Sequence, residues 1–166
     1  MLGLGRSKGD RMAKELLVLW AGRHRRDRWE DLVSTYRERI GRTVKIRDRP
    51  LKASLGGSDQ ERRRRDGSRL LEALPKDSWT ISLDASGEML DSLEFADRLA
   101  SLTDEWPHTV VFVLGSDVGL SKDVLDASRQ VLSLGRMTLP HELARLVLYE
   151  QIYRGLAIRA GINYHR

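Results

Sequence analysis

Four stretches of this chain gather side chains that can bind or react. Gly115-Ser116-Asp117-Val118-Gly119 follows an apolar run and precedes a helical pattern, and its two glycines let backbone amides approach a ligand. The same spacing suits a plain structural turn, and it lacks the third glycine of a dinucleotide fingerprint and the lysine of a P-loop. Leu134-Gly135-Arg136-Met137-Thr138-Leu139-Pro140-His141 is semi-apolar and leads into a long helix. Its backbone can hydrogen-bond an adenine while Met137 and Leu139 supply apolar walls; the plainer reading is a strand and a helix cap, with His141 on the surface of the first turn. Asn163-Tyr164-His165-Arg166 puts a phenol, an imidazole and a guanidinium behind a helix stop, as a reactive set or as a frayed end. Arg62–Arg65 is a run of four cations, suited to a polyanion or to a solvated helix face.

The elements that must position these groups follow from caps and periodicity. Lys14–Trp20 is a short apolar run that predicts a strand. Asp27 caps a helix over Arg28–Ile40, where Trp29, Leu32, Val33, Tyr36 and Ile40 recur at helical spacing. Thr43–Arg47 alternates like a strand, Pro50–Gly57 reads as a loop, and Ser58 with Glu61 forms a capping box for a helix to about Leu74. Trp79–Leu83 predicts a strand ending at Asp84, with Ala85–Gly87 as a turn. Asp91 with Glu94 starts the next helix. Thr109–Leu114 is an apolar run rich in β-branched residues, which predicts a central strand buried on both faces. Ser121 begins another helix, and Leu132–Leu139 holds a short strand or loop. From Pro140 a helix runs to about Ala160, with Leu143, Leu146, Val147, Ile152 and Leu156 expected on its inner face and Leu148, Tyr149 and Tyr153 as a surplus apolar face for a subunit contact. Strands alternating with helices predict an α/β fold with a mostly parallel sheet and helices on both faces.

Composition narrows the function classes. The 166 residues are 40% hydrophobic and 32% charged, which suits one globular domain over residues 12–166 behind an unpatterned extension at 1–11. The chain has no cysteine, so a disulfide framework, a thiolate zinc site and a cysteine nucleophile are excluded. Four scattered histidines offer no ligand spacing, and no metal is expected. Apolar runs such as Leu16–Ala21 and Val110–Leu114 fall far short of the roughly 20 residues of a membrane span, which predicts a soluble, cytoplasmic protein. Residues 1–66 hold 19 lysines and arginines against 10 acids, a balance of +9; the remainder holds 10 against 14. A basic first part suggests RNA or DNA as the partner.

Gly115–Leu120 on its strand, Met137-Thr138-Leu139-Pro140-His141, the helix with Glu150-Gln151-Ile152-Tyr153-Arg154, and the terminal Tyr164-His165-Arg166 together resemble the ribosomal RNA large-subunit methyltransferase H family. The resemblance runs from Lys14 to Arg166 and is closest after Trp79. It implies a SPOUT-type domain with a carboxyl-terminal trefoil knot, a homodimer, and S-adenosylmethionine as methyl donor without a metal. The substrate it implies is ring nitrogen N3 of a pseudouridine in 23S rRNA, in the large subunit or the assembled ribosome. Cofactor residues carried over from the family fall on Leu83, Gly115, Leu134, Gly135, Arg136, Met137, Thr138 and Leu139. Where the family has two adjacent glycines, this chain has Gly115-Ser116, and the added hydroxyl bears on the geometry of that turn. An imide nitrogen keeps its proton at neutral pH, so the reaction needs an acceptor and a charge to hold the anion. Arg154, Tyr164, His165 and Arg166 are the expected catalytic set, with Glu150 as helper and Tyr164 able to stack on the base. The alternatives are a SPOUT enzyme acting on another RNA, for example at a ribose 2′-hydroxyl, or a non-catalytic ribosome-binding protein; a dinucleotide oxidoreductase lacks its glycine turn and its ribose-binding acid.

Overall fold

The computed structural model describes residues 15–23 and 27–164, so the predicted extension at 1–11 and the tail residues His165 and Arg166 lie outside the described residues. The order of elements is β1 (Leu16–Gly22), α1 (Arg28–Gly41), β2 (Ile46–Lys52), α2 (Asp59–Ala73), β3 (Trp79–Met89), α3 (Ser92–Glu105), β4 (Val110–Leu114), α4 (Lys122–Ala127), β5 (Gln130–Ser133) and α5 (His141–Arg159). The five strands form one all-parallel sheet in the order β2-β1-β4-β3-β5. Every residue of β1 and β4 is buried. Both strands read as unbroken apolar runs because helices cover both faces. Leu16, Val18, Trp20, Val110, Phe112 and Leu114 pack toward α1, α3 and α5, while Leu17, Leu19, Val111 and Val113 pack toward α2 and α4.

Helix starts follow the predicted caps. Asp27 accepts from the Trp29 and Glu30 amides, and capping boxes stand at Ser58/Glu61 and Asp91/Glu94. Three expectations need correction. Pro50 lies inside β2 rather than in a loop, opposite Trp20. That strand is at the sheet's edge, where the missing amide of proline leaves no broken bond in the interior. β3 does not stop at Asp84 but resumes after an irregularity, so that Leu132 faces both Leu83 and Glu88. On α5, Leu148 and Tyr149 are core residues, not a surplus face, while Leu143, Leu146 and Val147 are only half-buried.

Tyr149 is drawn inward by a polar partner. Its hydroxyl donates to Asp48 Oδ1 at 2.7 Å, and Asp48 also accepts from Trp20 Nε1 at 2.9 Å and from Arg145 at 2.6 and 3.1 Å. Arg145 closes the network on Glu30 at 2.9 Å. Burial, and then the Asp48 carboxylate beside it, push the Tyr149 phenol well above its ordinary pKa. The network ties β1, β2, α1 and α5 together.

Candidate active site

The carboxyl ends of β3, β4 and β5 open onto a cavity of about 710 Å³. Ligands of open α/β sheets bind in this position, because the turns there expose backbone groups. Leu83 lies at the broken part of β3, Gly115–Gly119 follows β4, and Ser133–Pro140 joins β5 to α5; all three segments contribute to the wall. Seven of the eight predicted cofactor residues line this space: Leu83, Gly115, Leu134, Gly135, Met137, Thr138 and Leu139. Arg136 is exposed and outside the lining. Met137 is 83% exposed at the rim, a large apolar side chain kept in solvent where a ligand would cover it.

The turn after β4 folds back on itself. The Gly119 amide donates to the Ser116 carbonyl at 3.0 Å, and Gly119 takes φ +78°, a conformation open to glycine. Ser116 stays outside the left-handed region, so the exchanged glycine brings no backbone strain. Its hydroxyl instead donates to Asp66 Oδ2 at 2.8 Å, while Asp66 Oδ1 accepts from the Ser54 amide at 2.7 Å. Asp66 is buried on α2. From the same helix Arg62 reaches Asp117 at 2.6 Å and Arg63 Nε donates to the Val118 carbonyl at 2.7 Å. Arg65 donates to the Gly56 carbonyl. Three of the four clustered arginines are thus bound to loops of their own chain, and two of them hold the glycine turn. Arg63 and Arg64 stay exposed on the same helix, so the run combines a structural role with a charged surface.

The tail is not frayed as far as it is described. Tyr164 packs edge-on against Tyr153 with ring centroids 4.8 Å apart, and its hydroxyl lies 3.4 Å from that of Tyr36. Arg154 sits 4.9 Å over the Tyr164 ring and donates to its carbonyl at 3.3 Å. Glu150 Oε1 orients Arg154 through bonds of 2.6 and 3.0 Å. The hydrogen bond with Tyr36, followed by partial burial, pushes the Tyr164 phenol up to about 12. It stays protonated at neutral pH, so it is a donor or a stacking surface and not a proton acceptor. Neither Arg154 nor Tyr164 lines the cavity. Arg154 lies thirteen helical steps along α5 from His141 at the cavity's edge, about 20 Å at the rise of an α-helix. One chain therefore does not bring the two predicted sets together.

A family model described as predicted SPOUT methyltransferase matches residues 15–165. The chain belongs to this family. Among its relatives, the ribosomal RNA large subunit methyltransferase H of Acholeplasma laidlawii is 38% identical over 82% of this chain and 88% of its own. The protein of that name from Geotalea daltonii is 36% identical over 90% of this chain and 98% of its own. A solved probable methylase family protein from Haemophilus influenzae Rd KW20 shares the fold at a TM-score of 0.51 and 12% identity, covering 93% of this chain and 71% of its own. The SpoU methyltransferase AviRb from Streptomyces viridochromogenes, solved with AdoMet, aligns at a TM-score of 0.45 and 14% identity over 91% of this chain, which spans 60% of its length.

The wall of this SPOUT methyltransferase's cavity extends beyond the residues expected to hold the cofactor. Asp84, Asp117, His141 and Glu142 line it as well, and His141 Nε2 lies 3.1 Å from Glu142. The available signal was position: each residue lies within two of a glycine turn, a strand end or a helix start. The role of α2 as a clamp leads to a test. Asp66→Ala removes two bonds to a buried carboxylate and is expected to cost about 2 kcal/mol of stability. With the turn loosened, S-adenosylmethionine affinity should fall about tenfold, about 1.4 kcal/mol. Urea unfolding and calorimetry measure the two effects; unchanged affinity would mean that the turn holds its shape without α2.

Proposed function

We propose that this SPOUT methyltransferase transfers a methyl group from S-adenosylmethionine to ring nitrogen N3 of a pseudouridine in 23S rRNA of the large ribosomal subunit. The observation that carries the reading is one cavity at the carboxyl edge of the sheet, lined by Leu83, Gly115 and the segment from Leu134 to Leu139. The lining suits a nucleoside joined to a cation. Leu83, Leu134, Met137 and Leu139 supply apolar walls, and Asp84, Asp117 and Glu142 supply negative charge. When bound, S-adenosylmethionine supplies a methyl group made electrophilic by its sulfonium. No group of three His, Asp or Glu side chains among the described residues is placed to hold a metal ion.

The protein's own task is the acceptor nitrogen. In this reading His165 takes the N3 proton onto its imidazole, and the electron pair left on the ring spreads to the flanking carbonyl oxygens. Arg154 and Arg166 hold that charge, Glu150 fixes Arg154, and the Tyr164 phenol stacks or donates. Because Arg154 and Tyr164 stand far along α5 from the donor cavity, the complete site draws on two copies. A homodimer with antiparallel α5 helices unites the tail of one with the cavity of the other. The half-buried Leu143, Leu146 and Val147 leave α5 an apolar strip for such a contact. A ribosomal RNA substrate places this work in the cytoplasm; no helix among the described residues is long and apolar enough to cross a membrane.

The deciding experiment incubates purified protein and S-adenosylmethionine with 23S rRNA, with large subunits and with assembled ribosomes from cells lacking the gene. Mass spectrometry then locates any new methyl group. A methyl on a ribose hydroxyl, or none on any substrate, would overturn the proposed chemistry, and sedimentation at micromolar protein should show twice the mass of one chain.

A further inference from the structure

A second cavity, of about 260 Å³, lies at the carboxyl end of β1, beside the donor cavity. Four residues, Ser116, Asp117, His141 and Glu142, line both spaces. The two spaces meet at these residues. Its volume falls just under the roughly 300 Å³ at which small-molecule pockets begin, too small for a second cofactor and suited to one ring with its sugar edge. The floor is built and rigid: Arg145 is buried, lies 4.3 Å over the Trp20 ring, and is held by Asp48 and Glu30. At Gly22 an added Cβ would collide with the Trp20 ring and stand 3.2 Å from His141 Nε2, so this glycine lets the strand end pass close to these two side chains.

The outer side of the cavity is different in kind. Trp29 is 39% exposed and Leu55 60% exposed, both facing this space. Trp29 is anchored by its backbone, since its amide donates to the Asp27 cap at 3.1 Å. A partly exposed indole at the lining of a cavity is a stacking platform for an unpaired base. Arg23 stands at the same mouth, where a phosphate would pass.

We propose that this cavity seats the pyrimidine base that accepts the methyl group, splayed out of the RNA and stacked on Trp29, with its reactive edge toward the donor cavity where the two spaces meet. The proposal rests on the methyltransferase reading and adds where the acceptor enters and which residue grips it.

The test uses the full-length protein, large ribosomal subunits from cells lacking the gene, and S-adenosylmethionine. Trp29→Ala should lower kcat/KM for the RNA at least about tenfold, within the range for one lost stacking contact. S-adenosylmethionine affinity, read by calorimetry, should stay within about twofold, because Trp29 does not line the donor cavity. Trp29→Phe should recover most of the loss, since the face and not the indole nitrogen makes the contact. Leu55→Glu, at an exposed position that folding does not need, should lower kcat/KM as well by setting a carboxylate against the RNA. Wild-type kcat/KM in both Trp29→Ala and Leu55→Glu overturns the assignment of this cavity while leaving the enzyme reading intact. Wild-type protein that methylates no RNA overturns the enzyme reading, and this proposal with it.

Discussion

Gly115→Val is expected to abolish S-adenosylmethionine binding, with affinity lower by more than about a hundredfold, or about 2.7 kcal/mol. A side chain at this position meets its own turn and not the ligand first. A Cβ on Gly115 would stand 2.5 Å from the Gly119 carbonyl carbon, 2.7 Å from its oxygen and 2.9 Å from the Leu120 nitrogen. All three are backbone atoms, which cannot swing aside as a flexible side chain does. The turn must therefore open, and opening it displaces Ser116 and Asp117 from the cavity wall. The rest of the fold should survive, because β4 ends at Leu114 and its five buried residues are untouched. Gly119→Ala provides a graded control: there is open space around that Cβ, and only the positive φ opposes it, at a cost of about 1–2 kcal/mol. Calorimetry on both variants, with circular dichroism to verify folding, reads the result. Wild-type affinity in Gly115→Val would remove the turn from the donor site.

Deleting Tyr164–Arg166 should reduce turnover at least about a hundredfold, the scale for losing an acid–base or anion-holding group. S-adenosylmethionine binding should change little, since none of the described tail lines the donor cavity. The deletion also frees Arg154 from the Tyr164 carbonyl and ring, so His165→Ala, which leaves those contacts in place, separates proton transfer from positioning. If the complete site joins two copies, the tail-deleted and Gly115→Val proteins, each inactive alone, should regain activity when unfolded and refolded together. In the mixed dimer one site has both an intact cavity and an intact tail. A tail-deleted protein that methylates at the wild-type rate would return the tail to a structural role. Failure of the mixture to recover activity, with each parent folded and dimeric, would place both halves of the site within one chain.

Features decided by neighbouring residues were legible in the sequence. Asp27, Ser58 with Glu61, and Asp91 with Glu94 mark helix starts because a cap is a bond to an amide two or three residues on. The apolar, β-branched run ending at Leu114 announced a central strand for the same reason: its composition alone demands cover on both faces. Pro50 was harder. Proline argues against a strand unless the strand is at an edge, and the edge position of β2 exists only once the sheet is assembled. The α5 register was harder still, since a helix apolar on most sides offers no single stripe to orient it. Asp48 on β2 settles its rotation by accepting from Tyr149, 101 residues away.

The sequence by itself determined which elements form, that they alternate as strands and helices, and that the glycine turn and the semi-apolar segment before Pro140 come at strand ends. It therefore placed the donor-site candidates at one edge of a parallel sheet. Only the tertiary structure decided how the charges are used: Arg62 and Arg63 reach acceptors 55 residues away in the glycine turn and are held there. It also decided that the tail and the donor cavity stand toward opposite ends of α5. Caps and periodicity are local, set by backbone geometry over a few residues. The partner of a buried charge, the face a helix turns inward and the distance between two halves of a site depend on contacts between segments far apart in the chain, and those are settled only when the core packs.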